Sequence, residues 1–340
     1  MASTYASSCH GLQVRTPPTV EEWFNMETAG IPLISGNLGL AQARSSSSNL
    51  FRKGTMLCAS LLACALLASG CGSLYSDNEQ IAFSRLVDDN WQVFVLEVDT
   101  GSAIQLTDDP SFHWGPRWSP DHKLLSYTGD YAGDREIMLL DPSGVGIVRQ
   151  FTENDRVDED PSWSPDGQQM AFTTDFGNSF ELVLADLDGS GFRQVTQNTA
   201  DDIHPTWSPS GGHIAFASDR DGDHEIMVLD VYSEEVRGLT DNDSMDWAPA
   251  WSPDGNFIAF AGRRTGDWEI YTVDVETNSL SRITDSTAND VQPVWSPDGE
   301  QIAFASDRDG AYEIFTITID TGSVSSTGQP GFPSDWITAD

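Results

Sequence analysis

The chain reads as all-β, a ring of six blades in which each blade is a four-stranded antiparallel sheet: a six-bladed β-propeller. Three observations predict it. Trp118, Trp163, Trp207, Trp251 and Trp295 recur at spacings of 45, 44, 44 and 44 residues. Each is followed by Ser-Pro and, in three copies, by Asp-Gly, a stretch that suits a type I turn with Pro at its second position and Gly at its fourth. A short apolar strand then recurs six times, as Ile81-Ala82-Phe83, Leu124-Leu125-Ser126-Tyr127, Met170-Ala171-Phe172, Ile214-Ala215-Phe216, Ile258-Ala259-Phe260 and Ile302-Ala303-Phe304. Four short strands within about 44 residues is the period of a propeller blade.

Taken in chain order, residues 1–49 show no sustained periodicity and are expected to be a mis-assigned or disordered leader. Residues 50–70 have the layout of a signal peptide, with Arg52 and Lys53 ahead of an uncharged run from Met56 to Ala68 and small residues after it. That run is shorter than the roughly 20 residues of a membrane-spanning helix. It ends Leu67-Ala68-Ser69-Gly70-Cys71, which resembles the bacterial lipobox. The resemblance implies cleavage before Cys71, lipid modification of that cysteine, and a place in the cell envelope on the periplasmic or outer-membrane face. Residues 71–80 form a short linker and 81–340 the ring. All four cysteines, Cys9, Cys58, Cys64 and Cys71, precede the repeats, so no disulfide framework holds them.

Within a unit, the tryptophan ends a first strand, the turn follows, and the "IAF" strand alternates its side chains between two faces. A second turn, such as Ser-Asp-Arg-Asp-Gly at 218–222 and 306–310, leads into a third strand such as "EIMVLDV". A fourth short strand ends near Thr196, Thr240 or Thr284. The first unit lacks a clear tryptophan strand before Ile81. Two segments compete for that place: 74–83, in which Tyr75 stands for the tryptophan, and the tail Gly331-Phe332-Pro333-Ser334-Asp335-Trp336. The tail is the expected clasp of the ring.

Residues 71–340 carry 13 basic and 50 acidic side chains, with Lys123 their only lysine. Such a surface repels phosphate backbones and excludes nucleic acid as a partner. It suits solubility, cationic partners or metal ions.

The unit "WSPDG", "IAF", "SDRDG", "EIY", "LT" resembles the WD-repeat-like, PD40-type repeat of the TolB-like β-propeller family over residues 81 to about 328. The resemblance implies a non-catalytic protein-binding module of the cell envelope, expected to be a monomer. Family members carry an α/β domain between signal and propeller, which the ten or so residues after Cys71 cannot contain.

If the tryptophan strand is innermost, as the resemblance implies, Asp158, Asp202, Asp246 and Asp290, each three residues before the strand's proline, ring one mouth of the central channel. His113 holds the same place in the preceding copy. Those carboxylates can receive a basic partner side chain, hold Ca²⁺ as weak metal candidates, or cap their own turns. Trp114, Trp247 and Trp268 break the repeat, and aromatics at a channel mouth can anchor a peptide or a sugar. Glu136, Glu181, Glu225, Glu269 and Glu313 open the third strands and are expected to pair with Arg220 and Arg308 of the preceding turns.

Catalytic residues are not expected. No Gly-x-Ser-x-Gly elbow occurs, and His113, His122, His204, His213 and His224 lack metal-ligand spacing. The alternative is a metal-dependent, lyase-like or carbohydrate-binding propeller.

Overall fold

The structure, a computed structural model, describes residues 78–339 apart from Ala132, Gly144 and Val145. The expected leader, signal, lipidation site Cys71 and the segment around Tyr75 lie outside the described residues.

Blade one contains β1 (Asn78–Val87), β2 (Asn90–Glu97) and β3 (Ser102–Gln105). Blade two is β4 (His113–Trp118), β5 (Leu125–Tyr131), β6 (Asp134–Asp141) and β7 (Gly146–Gln150). Blade three is β8 (Asp158–Trp163), β9 (Gln169–Asp175), β10 (Phe180–Asp186) and β11 (Arg193–Gln194). Blade four is β12 (Asp202–Trp207), β13 (His213–Ser218), β14 (Glu225–Asp230) and β15 (Val236–Gly238). Blade five is β16 (Asp246–Trp251), β17 (Phe257–Gly262), β18 (Glu269–Asp274) and β19 (Leu280–Arg282). Blade six is β20 (Asp290–Trp295), β21 (Gln301–Ser306), β22 (Glu313–Thr318) and β23 (Ser323–Pro330). The last strand, β24 (Phe332–Ala339), crosses back to blade one and pairs antiparallel with β1. All six sheets are therefore four-stranded, and the innermost strands β4, β8, β12, β16, β20 and β24 touch in cyclic order around one axis. The tail is the clasp, as its proline and tryptophan predict.

The Ser-Pro-Asp-Gly stretches turn each inner hairpin. Gly167 N donates to Ser164 O at 2.8 Å, while Ser164 Oγ donates to Asp166 at 2.7 Å and accepts from Gln169 N at 2.9 Å. Gly167 has φ +67°, a conformation open to glycine at no steric cost. The fourth strands are short because a threonine does their work at one end. Thr107, Thr152, Thr196, Thr240 and Thr284 each accept, through Oγ1, the amide of a third-strand residue at 2.9 Å.

The core lies between blades. Leu182, Leu184 and Val195 of blade three pack on Trp207, Ile214, Phe216, Met227 and Leu229 of blade four. The join of blade six to blade one is built the same way, with Val294, Ala303 and Ile314 against Ile81, Phe83, Phe94, Leu96 and Trp336. The ring thus closes by the same hydrophobic burial that joins its other blades.

Candidate functional site

The structure buries the four predicted ring aspartates. Asp158, Asp202, Asp246 and Asp290 are each 0 % exposed. Their carboxylates face into their own blades. Asn198 Nδ2 donates to Asp202 at 2.7 Å, and Arg220 Nη2 donates to both of its oxygens at 2.9 and 3.1 Å. Asp290 takes the same fork from Arg308 at 2.9 and 3.0 Å, and Asp246 takes Arg264 and Asn242. Asp158, lacking that arginine, takes Asn154 and the Thr174 hydroxyl. A buried carboxylate is stable only with such partners, so these four stiffen the inner hairpin. Among the described residues, no group of three or more His, Cys, Asp or Glu side chains is disposed to hold a metal.

The expected pairing of Glu225 and Glu313 with Arg220 and Arg308 is also corrected. Strand register sets Asp202 opposite Ser218, and an arginine two residues beyond Ser218 turns back onto the aspartate. The glutamates instead hold the chain at or just after the fourth strand: Asn154, Asn198, Asn242 and Ser286 in the loops, and Gly328 within β23, donate backbone amides to Glu136, Glu181, Glu225, Glu269 and Glu313. Arg282 Nη2 reaches Glu269 at 2.6 Å. Blade five departs in one detail. Ser218 and Ser306 accept their arginine Nε, but Gly262 offers no hydroxyl, and Arg264 Nε and Asp246 Oδ1 are left without partners. Burial, opposed by Arg264 and reinforced by Glu225, pushes the Asp246 carboxyl up to about 8.

The residues that line the axis stand two positions beyond the aspartates. Gly115, Asp160, His204, Ala248 and Gln292 all have φ between +51° and +64°, and each precedes a proline, which restricts its backbone further. They form bulges on the inner strands, where two residues oppose one. With Ser334 of β24 they surround a constriction of about 40 Å³, room for a few waters. Toward the Ser-Pro-Asp-Gly face the channel widens to a cavity of about 330 Å³ lined by Arg117, Asp335 and the six tryptophans from Trp118 to Trp336.

The ionisable groups of the channel gather on blades one to four. His204 Nδ1 meets Asp160 Oδ2 at 2.9 Å across the join of blades three and four. Arg135 pairs with Glu159 across blades two and three, and Arg117 donates to Ser334 O across blades two and one. Ala248 and Gln292 hold the corresponding places in blades five and six. Burial pushes the Glu159 carboxyl up to about 7 against the pull of Arg135. Burial acts on Asp160 too, but His204 outweighs it and holds that carboxyl below its usual range. Burial also raises Asp335, against Arg117.

His113 is buried beneath this face, with Nε2 3.1 Å from Asp109 Oδ1 and its ring against Tyr127. Trp247 stands edge-on to His204 and His224 at 4.3 and 5.4 Å between centroids. Burial pushes the His224 imidazole down to about 4. Trp268 is buried beside β20, and its carbonyl accepts Asp290 N at 2.8 Å. Trp114 belongs to a larger cluster at the closure of the ring, with Trp91 at 4.8 Å and Phe332 at 5.5 Å; Tyr312 lies 4.8 Å from Phe332. Sequence reasoning missed Asp160, His204, Gln292, Trp91, Phe112 and Tyr312. The signal for the first three was present: the residue before the shared proline is Gly, Asp, His, Ala or Gln, a position of the inner strand that changes in every copy.

The sequence pattern of the family described as "TolB beta propeller domain" matches residues 71–179 and 176–332. The fold is similar to that of TolB from Acinetobacter baumannii, with a TM-score of 0.66 at 21 % identity over 76 % of this chain and 66 % of that one. It is also similar to a protein assigned as TolB from Agrobacterium tumefaciens, with a TM-score of 0.63 at 25 % identity over 74 % of this chain and 91 % of that one. An oligogalacturonate lyase in complex with manganese shares the fold at a TM-score of 0.55 and 18 % identity, over 74 % of each chain. The chain thus spans just under two thirds of the Acinetobacter protein. No curated protein matches it.

Proposed function

Because the chain belongs to the TolB β-propeller family, we propose that it is a non-catalytic binding module of the bacterial cell envelope, anchored by a lipid on Cys71, that holds a protein partner on the face where the inner strands begin. One observation carries this reading. The positions that change from blade to blade, among them those of Trp91, Phe112, Trp114, His204, Trp247, Gln292 and Tyr312, gather on that face, while the opposite face repeats Ser-Pro-Asp-Gly or a near variant in five blades. A rigid disc with repeated interior bonds and an unrepeated set of side chains at one end is suited to selective recognition. The channel pairs Arg117, Arg135 and His204 with oxygen acceptors, so each of these side chains already serves an inter-blade contact.

The test is a photo-crosslinking amino acid placed at Gln292 or, on the opposite face, at Asp254, in the native host. One partner crosslinked from Gln292 and absent from Asp254 is the expected result; identical products from both positions, or none, overturn the reading. Palmitate labelling lost in Cys71→Ala tests the anchor. Metal analysis of the purified protein decides against the lyase-like alternative or for it: a stoichiometric divalent ion would favour the enzyme.

A further inference from the structure

The aromatic cluster at the ring closure is unlike anything else in the molecule. Its floor is Trp114 and Phe332, 7 and 5 % exposed. Its walls are Trp91, Phe112 and Tyr312, all half-buried, contributed by blades one, two and six. Trp91 meets Trp114 edge-on at 4.8 Å and Phe332 at 5.5 Å. Leu86, directly across the hairpin from Trp91, is 45 % exposed and extends the apolar surface outward. Core packing alone does not require a tryptophan and a leucine to reach the surface together at a hairpin end.

The rim has one sign of charge. Asp88 and Asp89 form the exposed turn beside Trp91, Asp108 and Asp109 the loop before Phe112, and Asp130 and Asp309 the neighbouring turns; all six are exposed. The Arg135 guanidinium lies at this edge, 4.3 Å from the centre of the Phe112 ring and close to Asp130. The molecule therefore already seats a guanidinium on this cluster, between an aromatic face and a carboxylate. The same contact recurs inside it, with Arg85 over Phe94, Arg156 over Phe176 and Arg308 over Phe315. Aromatic faces attract cations, indole most strongly, and acidic rims steer basic partners and reject acidic ones.

We propose that this depression seats a basic, extended segment of the partner protein, with an arginine side chain stacked on Trp91 and its guanidinium facing Asp88, Asp89 and Asp109. The inference rests on the reading of the chain as a protein-binding module and names the chemistry of what it binds. Charge complementarity selects this occupant. A second copy of this acidic chain would be repelled, and a neutral sugar would draw nothing from the carboxylate rim.

The probe is a fluorescein-labelled peptide of four arginines separated by glycines, titrated with the purified full chain at 150 mM salt and followed by anisotropy. Trp91→Ala is expected to weaken binding at least ten-fold. Asp88→Asn with Asp89→Asn should weaken it about three-fold, because asparagine keeps the turn, where both residues have positive φ. Asp254→Asn with Asp298→Asn on the opposite face should leave it unchanged. Equal loss from both asparagine pairs would mean general attraction to an acidic surface and would overturn the proposal. So would indifference to Trp91, or displacement of the peptide by cellohexaose. If Trp91→Ala melts early, the asparagine pairs decide alone. A crosslinked partner retained in Trp91→Ala sinks this inference and spares the binding-module reading; peptide binding without any crosslinked partner does the reverse.

Discussion

Trp336 Nε1 donates to the carboxylate of Glu79 at 3.0 Å, joining the last strand of the chain to the first described one. The same tryptophan sits opposite Ile81 in the β1–β24 register and is 5 % exposed. The ring is closed by backbone pairing, side-chain burial and this hydrogen bond together.

Removing residues 331–340 therefore takes the inner strand from blade one and uncovers Ile81, Phe83 and Val294. Thermal unfolding followed by circular dichroism should show a large loss, with the transition lowered by well over ten degrees or no cooperative transition at all. Trp336→Ala alone should cost about 3–5 kcal/mol, as for other buried tryptophans. An unchanged melting temperature in the truncated chain would show that β24 does not hold the ring.

Gly331 precedes β24 with φ +139°, and a Cβ there would lie 2.6 Å from Ser84 O and 2.8 Å from the Phe83 ring. Backbone cannot yield as a flexible side chain can, so Gly331→Ala should destabilise by roughly 2 kcal/mol or more. Gly328→Ala is the control, since Gly328 also has positive φ but open space around it. Urea denaturation should rank Gly331→Ala clearly below Gly328→Ala.

Arg220→Ala leaves Asp202, fully buried, without the guanidinium that neutralises it. The expected loss is about 3–5 kcal/mol by chemical denaturation, the usual result of breaking a buried pair from one side. Adding Asp202→Asn to that variant should recover part of the loss, because the charge is then gone. If the double variant is no better than Arg220→Ala, the effect is packing and not charge.

Glu159 has its folded value raised to about 7 by burial, above the unfolded carboxylate value. A raised carboxyl binds its proton more tightly in the folded state, so the stability it contributes is full below the unfolded value. That contribution falls away as pH rises through about 7. Glu159→Gln should therefore flatten the stability profile between about pH 4.3 and about pH 7 relative to the parent chain. Parallel profiles for the two proteins across that window would refute it.

Much of this was legible in the chain. Five tryptophans at a period near 44, with a proline two residues before each, specify the blade because strand, turn and strand each leave a local signature of alternation or turn residues. The clasp was legible for a related reason, since Pro333 and Trp336 offer a proline and a tryptophan at the end of the chain, spaced one residue wider than in the other inner strands. The direction of the aspartates was not legible, because recurrence at one position shows a shared role without showing direction. Asp202 begins a strand whose later residues face the axis, and only the register that sets it beside Ser218 and Arg220 turns its carboxylate inward. The aromatic cluster was invisible as a unit. Trp91, Trp114, Tyr312 and Phe332 lie in three blades and as far apart as the ring allows in sequence, and they meet because the closure of blade one brings the two ends of the chain together.

By itself the sequence determined the repeat, the number of blades and the strand that closes them, because those depend on short-range turn chemistry and hydrophobic period. Only the tertiary structure decided which side chains face the axis, which carboxylates are buried, and where the six blades gather their exceptions. Those outcomes follow from strand register and ring closure, which join residues that no local pattern connects.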